Sequence, residues 1–302
     1  MDLLSAMEVF RRVVELDGFA AAARDLRLST GSVSKQVARL EEHLGTRLLN
    51  RTTRRISLTE AGRGFYERCV RILEDVEEAK LAAASESASP RGTLRVNAPM
   101  SFGIRHLSGV LPEFMALYPE LAVDLSLNDR YVSLLDEGFD VAIRIGALAD
   151  SSLVARRIGT SRLHVVASPT YLEARGVPQT PGDLQHHECL AYSLRNAGAE
   201  WQFVGPEGRV GVRVSGRLRV DNGDVIVTAA SAGMGIALSP AFLVDEHVRS
   251  GRLRVLLSGY EAEAAEIHAV YPHSRHLSAK VRAFIDFLVE RFGSRPPWNS
   301  LQ

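Results

Sequence analysis

Cysteine is nearly absent from this 302-residue chain: Cys69 and Cys189 are the only two, far apart in sequence. Two such residues build neither a disulfide framework nor a four-cysteine zinc site, and their scarcity suits a reducing compartment. No run approaches the roughly 20 apolar residues that a membrane helix needs. The opening Met1-Asp2-Leu3-Leu4 lacks the basic stretch that precedes the apolar core of a secretory signal. A cytoplasmic protein with no membrane partner is therefore expected. No GxGxxG loop and no nucleophile elbow occurs, so nothing points to an enzyme. The nine histidines form no ligand set: His186-His187 and His273 with His276 are local pairs without a matching cysteine. Neither metal nor cofactor is expected. Net charge is also missing, since 36 basic side chains balance 36 acidic ones. For the chain as a whole that argues against a polyanionic partner.

The distribution of charge argues the other way. Between Arg24 and Arg55 stand eight basic residues (Arg24, Arg27, Lys35, Arg39, Arg47, Arg51, Arg54, Arg55) against three acidic ones (Asp25, Glu41, Glu42). This local excess coincides with a helical pattern. Leu3, Met7, Phe10 and Val14 mark a first amphipathic helix, and Ala20 to Ala23 lead a short second one into Leu26. After the turn Leu28-Ser29-Thr30-Gly31, Val33, Val37, Leu40 and Leu44 recur at helical spacing up to Gly45, a C-cap residue. Ser29 and Thr30 both qualify as N-cap. Two short helices joined by a tight turn, the second with a polar and basic side, suit a DNA major groove. Leu48-Leu49 and Ile56-Ser57-Leu58 flank a basic turn and read as a hairpin wing carrying Arg51, Arg54 and Arg55 toward phosphates or the minor groove. Surface salt bridges are the alternative for these arginines, and a solvated face the alternative for Ser32, Ser34, Lys35 and Arg39.

A long helix is expected from the cap Thr59 to about Ser87, with Phe65, Cys69, Ile72, Val76 and Leu81 as its apolar stripe. With no globular neighbour in sequence for that stripe, pairing with the same helix of a second subunit is the expected burial. From Thr93 onward, short strands alternate with helices, an α/β pattern. Expected strands include Leu94–Val96, Leu121–Leu127, Phe139–Ile143, Val154–Ile158, Leu163–Ala167, Val210–Val214, Leu218–Val220, Gly235–Leu238 and Ile267–Val270. Expected helices include Gly103–Tyr118, Tyr131–Glu137, Gly223–Ala232 and His276–Phe292, and Arg295-Pro296-Pro297-Trp298 reads as a frayed tail.

The set Phe19, Ala22, Ala23, Leu26, Ser29, Val33, Ser34, Gln36, Leu40, Glu41, Leu44, Gly45, Leu48, Arg51, Leu58, Thr59, Ala61 and Gly62 resembles, in order and spacing, the N-terminal module of LysR-type transcriptional regulators. Looser signals extend the resemblance over the chain: Phe114 with Tyr118-Pro119, Leu135 with Gly138 to Ile143, and Gly233 with Gly235 to Ala237 and Pro240. The resemblance implies a winged helix-turn-helix domain over 1–58, a dimerisation helix over 59–90 and an α/β effector domain over 91–302. That domain would be two-lobed and similar to periplasmic binding proteins, one lobe about 91–161 with 268–292 and the other about 162–267. It further implies dimers and tetramers, a double-stranded operator, RNA polymerase as a partner in activation, and a small organic effector; a polar loop, an arginine fork and nearby apolar residues suit either organic acids or aromatics. Thr30, Ser32 and Lys35 are then expected at base edges, Ser34 and Arg39 at phosphates. The sequence departs from the family at Thr30 and Gly31, where glutamine and proline are common, and at Leu49, where phenylalanine is usual; the first departure puts the target sequence in question.

For the effector, the loop Met100-Ser101-Phe102-Gly103 lies between a strand and a helix, where backbone N–H groups and the Ser101 hydroxyl suit an anion or a carbonyl oxygen. An ordinary helix cap is the other reading of Ser101. Asn222-Gly223-Asp224 repeats the arrangement, and Gly146 suits a close turn. Arg144 offers a bidentate fork to a carboxylate or closes a surface ion pair; Tyr192 and Arg195 are further candidates. Some peroxide-sensing relatives switch through a disulfide, but Cys69 and Cys189 fall in different domains. A solute-binding protein or an enzyme built on the α/β region would leave the basic N-terminal module unexplained, except in an architectural DNA-binding role.

Overall fold

A computed structural model describes residues 2–51, 56–84, 89–148, 152–194, 200–273, 277–293 and 296–298. The chain divides into two compact units, Met1–Ala88 and Ser89–Gln302.

In the first unit, α1 (Leu3–Glu15), α2 (Phe19–Asp25) and α3 (Thr30–Leu44) precede a hairpin of β1 (Leu49–Arg51) and β2 (Ile56–Leu58), then the long α4 (Glu60–Ala84). The apolar spacing dictates the packing. Val33, Val37 and Leu40 of α3 are fully buried with Phe10 and Val13 of α1, and the small Ala22 and Ala23 let α2 approach closely. The choice of cap falls on Ser29, whose side chain accepts the Ser32 N–H at 3.1 Å. Gly45 ends α3 in the left-handed region, φ 66°. The Glu41 carboxylate accepts the Leu48 and Leu49 N–H groups at 2.9 and 3.1 Å, fastening the wing to the end of α3. Thr59 accepts the Gly62 N–H at 2.9 Å and donates to Arg47 O at 2.7 Å. A Cβ on Gly62 would meet Leu48 O at 1.9 Å, so only glycine lets α4 start against the wing.

The expected burial of α4 needs correction. Its first turns have a globular neighbour: Phe65, Tyr66, Cys69 and Leu73 join the core around Met7 and Phe10, with the Phe10 ring 5.7 Å from Phe65. Cys69 Sγ–H donates to Met7 O at 3.4 Å. The anticipated stripe is thus divided, Phe65 and Cys69 facing α1 while Ile72 is 43% exposed. The side chain of Leu81 and the residues around Ser87 lie outside the described residues.

Among the described residues, the second unit holds two five-stranded sheets and a three-stranded one. The first lobe opens with β3 (Gly92–Ala98), α5 (Met100–Phe102), a π-helical turn over Gly103–Leu107, α6 (Ser108–Leu117), β4 (Leu121–Leu127), α7 (Leu134–Glu137), β5 (Val141–Ile145) and β6 (Leu153–Ser161). The second lobe holds β7 (Leu163–Ala167), α8 (Pro169–Arg175), β8 (Cys189–Tyr192), β9 (Glu200–Gly205), β10 (Gly208–Arg213), β11 (Arg219–Val220), α9 (Gly223–Ser231), β12 (Ile236–Pro240), α10 (Ala241–Arg249), β13 (Arg254–Leu256) and β14 (Glu261–Ala262). The chain then returns to the first lobe through β15 (Ala265–Pro272) and α11 (Ala279–Phe292). The first sheet has the order β4-β3-β5-β15-β6, the second β11-β8-β12-β7-β13, and a ribbon β10-β9-β14 flanks the latter. In each five-stranded sheet parallel pairs (β3 with β4 and β5; β8 with β11 and β12) meet antiparallel ones.

Three further expectations change. The helix anticipated over Gly103–Tyr118 is a π-turn followed by α6, which contains Pro112; the missing N–H of that proline costs the helix one internal bond. The helix anticipated from Tyr131 starts only at Leu134, because Ser133 caps it, and residues 128–132 run as loop. Trp298, expected in a frayed tail, is 2% exposed. Its indole has aromatic neighbours to bury against, which a tail read in isolation does not reveal.

Candidate nucleic-acid interface and ligand cavity

Ser32, Lys35 and Arg39 fall at i, i+3 and i+7 of α3 and share a face. Lys35, Arg39 and the first helical residue Thr30 are exposed, while Ser32 and Ser34 are half-buried. Neither Lys35 nor Arg39 forms an ion pair among the described residues, so their charge is available to a polyanion. The face is held by the α1–α2 lock, in which Arg12 grips Asp25 through two nitrogens, at 2.8 and 2.5 Å, and Glu15 at 2.8 Å. Those bonds, with Glu15 the larger influence and Asp25 next, raise the Arg12 pKa. Arg51 lies on β1, paired with Ile56 of β2. Arg54, Arg55 and the Arg51 side chain lie outside the described residues.

Between the lobes of the second unit lies a cavity of about 540 Å³, a size that fits a small organic ligand. Of the residues expected there, Ser101, Phe102, Arg144, Tyr192 and Gly223 line it. Met100 and Asn222 do not, and Arg195 lies outside the described residues. Met100 instead is 41% exposed, and its N–H is taken by Asp129 Oδ1 at 3.0 Å, which corrects the expectation of free N–H groups aimed into the cleft. Asn222 caps α9, its Oδ1 accepting the Asp224 and Val225 N–H groups, and its Nδ2 donates to Asp129 Oδ2 at 2.8 Å. Asp129 therefore ties both loops together across the lobes. Arg105 and Asp224 add a second clasp at 2.6 Å. Burial raises the Asp224 pKa, but the Ser101 hydroxyl and Arg105 outweigh it and hold the carboxyl below its usual range.

Arg144 is 8% exposed, far from the surface ion pair that was its alternative. One guanidinium nitrogen donates to Asn97 Oδ1 at 2.6 Å and to Ile143 O at 3.2 Å, and the fully buried Asn97 is fixed in turn by Ser126 O. The Tyr131 ring lies 5.4 Å from the guanidinium carbon. Burial lowers the Arg144 pKa and the surroundings of Tyr131 and Glu137 oppose it; an arginine remains cationic. Among the described residues no carboxylate stands within ion-pair distance. Two further wall groups are polar: Asn128 Oδ1 is buried without a hydrogen bond, and the buried Ser101 hydroxyl lies beside the Asp224 carboxyl. Buried polar atoms seldom stay unsatisfied; the cavity they face is lined by the apolar Phe102, Ile226, Leu238, Phe242 and Leu243 and also by Asp129, Arg130, Glu200, Gln202, Glu263 and Glu266. Sequence reasoning missed Asn128, Asp129, Tyr131 and Phe242: Asn128 and Asp129 sit in a stretch assigned to no element, Tyr131 was read as the start of a helix, and Phe242 is 140 residues from its neighbour Phe102. Gly146, as expected, makes a close turn, with φ 99° and its N–H on Glu266 O at 2.8 Å.

Both thiols are buried, and burial pushes Cys69 and Cys189 each up to about 12, so neither is a reactive thiolate. Among the described residues there is no cluster of metal-ligating side chains and no helix long and apolar enough to cross a membrane.

A basic helix-turn-helix with a wing, followed in one chain by a two-lobed α/β unit around a ligand-sized cavity, defines a DNA-binding regulator with an effector domain. Residues 4–63 match the bacterial regulatory helix-turn-helix protein, lysR family, and residues 87–293 match the LysR substrate binding domain. The chain belongs to the LysR family of transcriptional regulators. It is 42% identical to an uncharacterized HTH-type transcriptional regulator of Haemophilus influenzae, over 93% of this chain and 98% of that one. It is 37% identical to the HTH-type transcriptional activator AaeR of Escherichia coli, over 97% and 94%. Among solved structures it is similar to CrgA, a LysR-type regulator from Neisseria meningitidis, with TM-score 0.60, 34% identity and coverage of 95% and 97%. AphB, the virulence activator of Vibrio cholerae, matches with TM-score 0.58, 31% identity and coverage of 95% and 98%.

Proposed function

We propose that the cavity takes a small organic monoanion with an apolar body, held by Arg144, Ser101 and Asn128, and that this ligand controls operator binding. The observation that carries the reading is a buried guanidinium with no carboxylate within ion-pair distance among the described residues, beside Asn128 Oδ1, which is buried without a hydrogen bond. An arginine–carboxylate fork in such a dry site is among the stronger polar contacts. At the other end of the chain, Thr30, Ser32 and Lys35 read base edges, while Ser34, Arg39 and the wing arginines Arg51, Arg54 and Arg55 contact phosphates. The chain acts in the cytoplasm at the nucleoid, as a dimer or tetramer whose half-sites stand about one helical turn, or a multiple, apart. The exposed Ile72 on α4 supports pairing of that helix between subunits. RNA polymerase is the partner in activation. Ligand binding changes the relation of the lobes and, through the paired heads, DNA bending.

The test has two parts. Selection from a random duplex pool at low salt yields a partly palindromic consensus; recovery of no preferred sequence overturns the operator reading. Benzoate, used as the probe, raises the melting temperature of the wild-type chain and not of Arg144→Leu; equal shifts in both, or none in either, overturn the anion site.

A further inference from the structure

The last described residues return to the junction of the lobes. Trp298 is 2% exposed and its indole N–H donates to Thr160 O at 2.9 Å, on β6 just before the chain crosses between lobes. Its ring packs within 4.5 Å of His106, 5.1 Å of Phe292, 5.5 Å of Phe102 and 6.2 Å of Phe242, centroid to centroid. These spacings and the largely edge-on angles are those that aromatic pairs favour. Phe102, His106 and Phe292 belong to the first lobe and Phe242 opens α10 of the second. Phe102 and Phe242 touch each other at 5.6 Å, and both line the ligand cavity, whereas Trp298 does not. The indole thus stands behind a wall made of one ring from each lobe. Pro296 and Pro297 restrict the chain leading to it, which lowers the entropy lost on docking.

We infer that Trp298 is a positioning residue for the effector cavity: it fixes Phe102 and Phe242 as one wall and thereby sets how far the two lobes open. The inference rests on the reading of the cavity as the effector site, yet its test needs no effector. Nitroxides are placed on the exposed Ala122→Cys and Gln185→Cys, one in each lobe, in the full chain diluted with unlabelled protein; the native thiols are buried and held protonated. The wild-type chain gives one narrow distance distribution, Trp298→Phe stays close to it, and Trp298→Ala broadens it. An unchanged narrow distribution in a folded Trp298→Ala chain overturns the proposal. Where Trp298→Ala does not fold, Trp201→Phe leaves Trp298 as the sole tryptophan. Emission shifted to the blue and shielded from iodide then sustains the proposal, and a solvent-like, quenchable emission overturns it. If the benzoate shift is absent while these results hold, the cavity reading fails and the positioning of the wall stands.

Discussion

The two units place cations in opposite settings. Lys35 and Arg39 stand exposed on α3, within a few residues of each other in sequence and without ion pairs among the described residues. Arg144 is buried, held by Asn97 from another strand and faced by Tyr131 from a loop. A duplex is a continuous polyanion, so charge that meets it needs only exposure and a rigid support. A small ligand must be taken out of water, and a cation that holds it must itself be desolvated and positioned beforehand. The first kind of site comes from one local motif. The second is assembled from segments between Pro99 and Glu266.

The largest effect that separates the units is a core truncation. Phe10→Ala removes a fully buried ring that packs on Phe65 and Tyr66 and should cost about 3 to 5 kcal/mol in denaturant unfolding. Operator binding should fall with it, while the benzoate-induced stabilisation of the second unit persists. Loss of both would break the comparison, because it would make the two units one cooperative block.

Arg144→Leu sharpens the comparison from the other side. It should weaken benzoate binding by about 2 to 5 kcal/mol, since it removes one member of a desolvated charge pair. Duplex affinity without benzoate should be unchanged. Titration calorimetry for the anion and fluorescence anisotropy for the duplex separate the two outcomes.

The contrast also governs how much the sequence discloses. The period of Val33, Val37 and Leu40, the stop at Gly45 and the basic wing flanked by Leu49 and Leu58 are local, and the folded helices and hairpin follow them closely. Even there, Ser29 and Thr30 were equivalent until the Ser32 N–H selected one. In the second unit Ser101 and Arg144 stood out through their chemistry, but Tyr131 was hidden because the Ser133 cap, not helical period, decides where α7 begins, and Asp129 because its partners Met100 and Asn222 are distant in sequence. Asp129 consumes the Met100 N–H that sequence reasoning offered to a ligand, a contact between residues 29 apart that no window of helical length contains. Trp298 is the extreme case: its partners begin at Phe102, and an isolated Pro-Pro-Trp tail carries no sign of them.

Within the first unit, Lys35 and Arg39 should differ. Lys35→Ala should remove about 1 to 3 kcal/mol of discrimination between the consensus and a duplex changed at one base pair. Arg39→Ala should weaken all duplexes alike and lower the slope of log affinity against log salt by about one. Anisotropy titrations at several salt concentrations distinguish them; equal loss of discrimination in both would remove the division between base and phosphate contacts.

The smallest effect concerns His106, which packs against Trp298 and whose Nε2 is buried without a hydrogen bond. Burial lowers its pKa from 6.5 to about 4, against a raising backbone contact from Phe242 and with a further lowering from Arg105. The unfolded chain therefore takes up a proton at this ring as pH falls through about 6.5, while the folded chain does so only near 4. Over that window the unfolded state binds more protons, so stability declines as pH falls and levels off below the folded value. With partial solvent contact discounted, the contribution is on the order of 1 kcal/mol. His106→Phe keeps an aromatic ring in the cluster and cannot titrate; its urea midpoint should drop less than that of wild type between neutral pH and pH 4, with the curves converging in shape above about 6.5. His164, His187 and His247 also have lowered values, so some acid dependence should persist in the variant. An identical pH slope in both chains would mean that this ring is solvated, and the burial that sets Arg144 apart from Lys35 and Arg39 would not extend to the tryptophan junction.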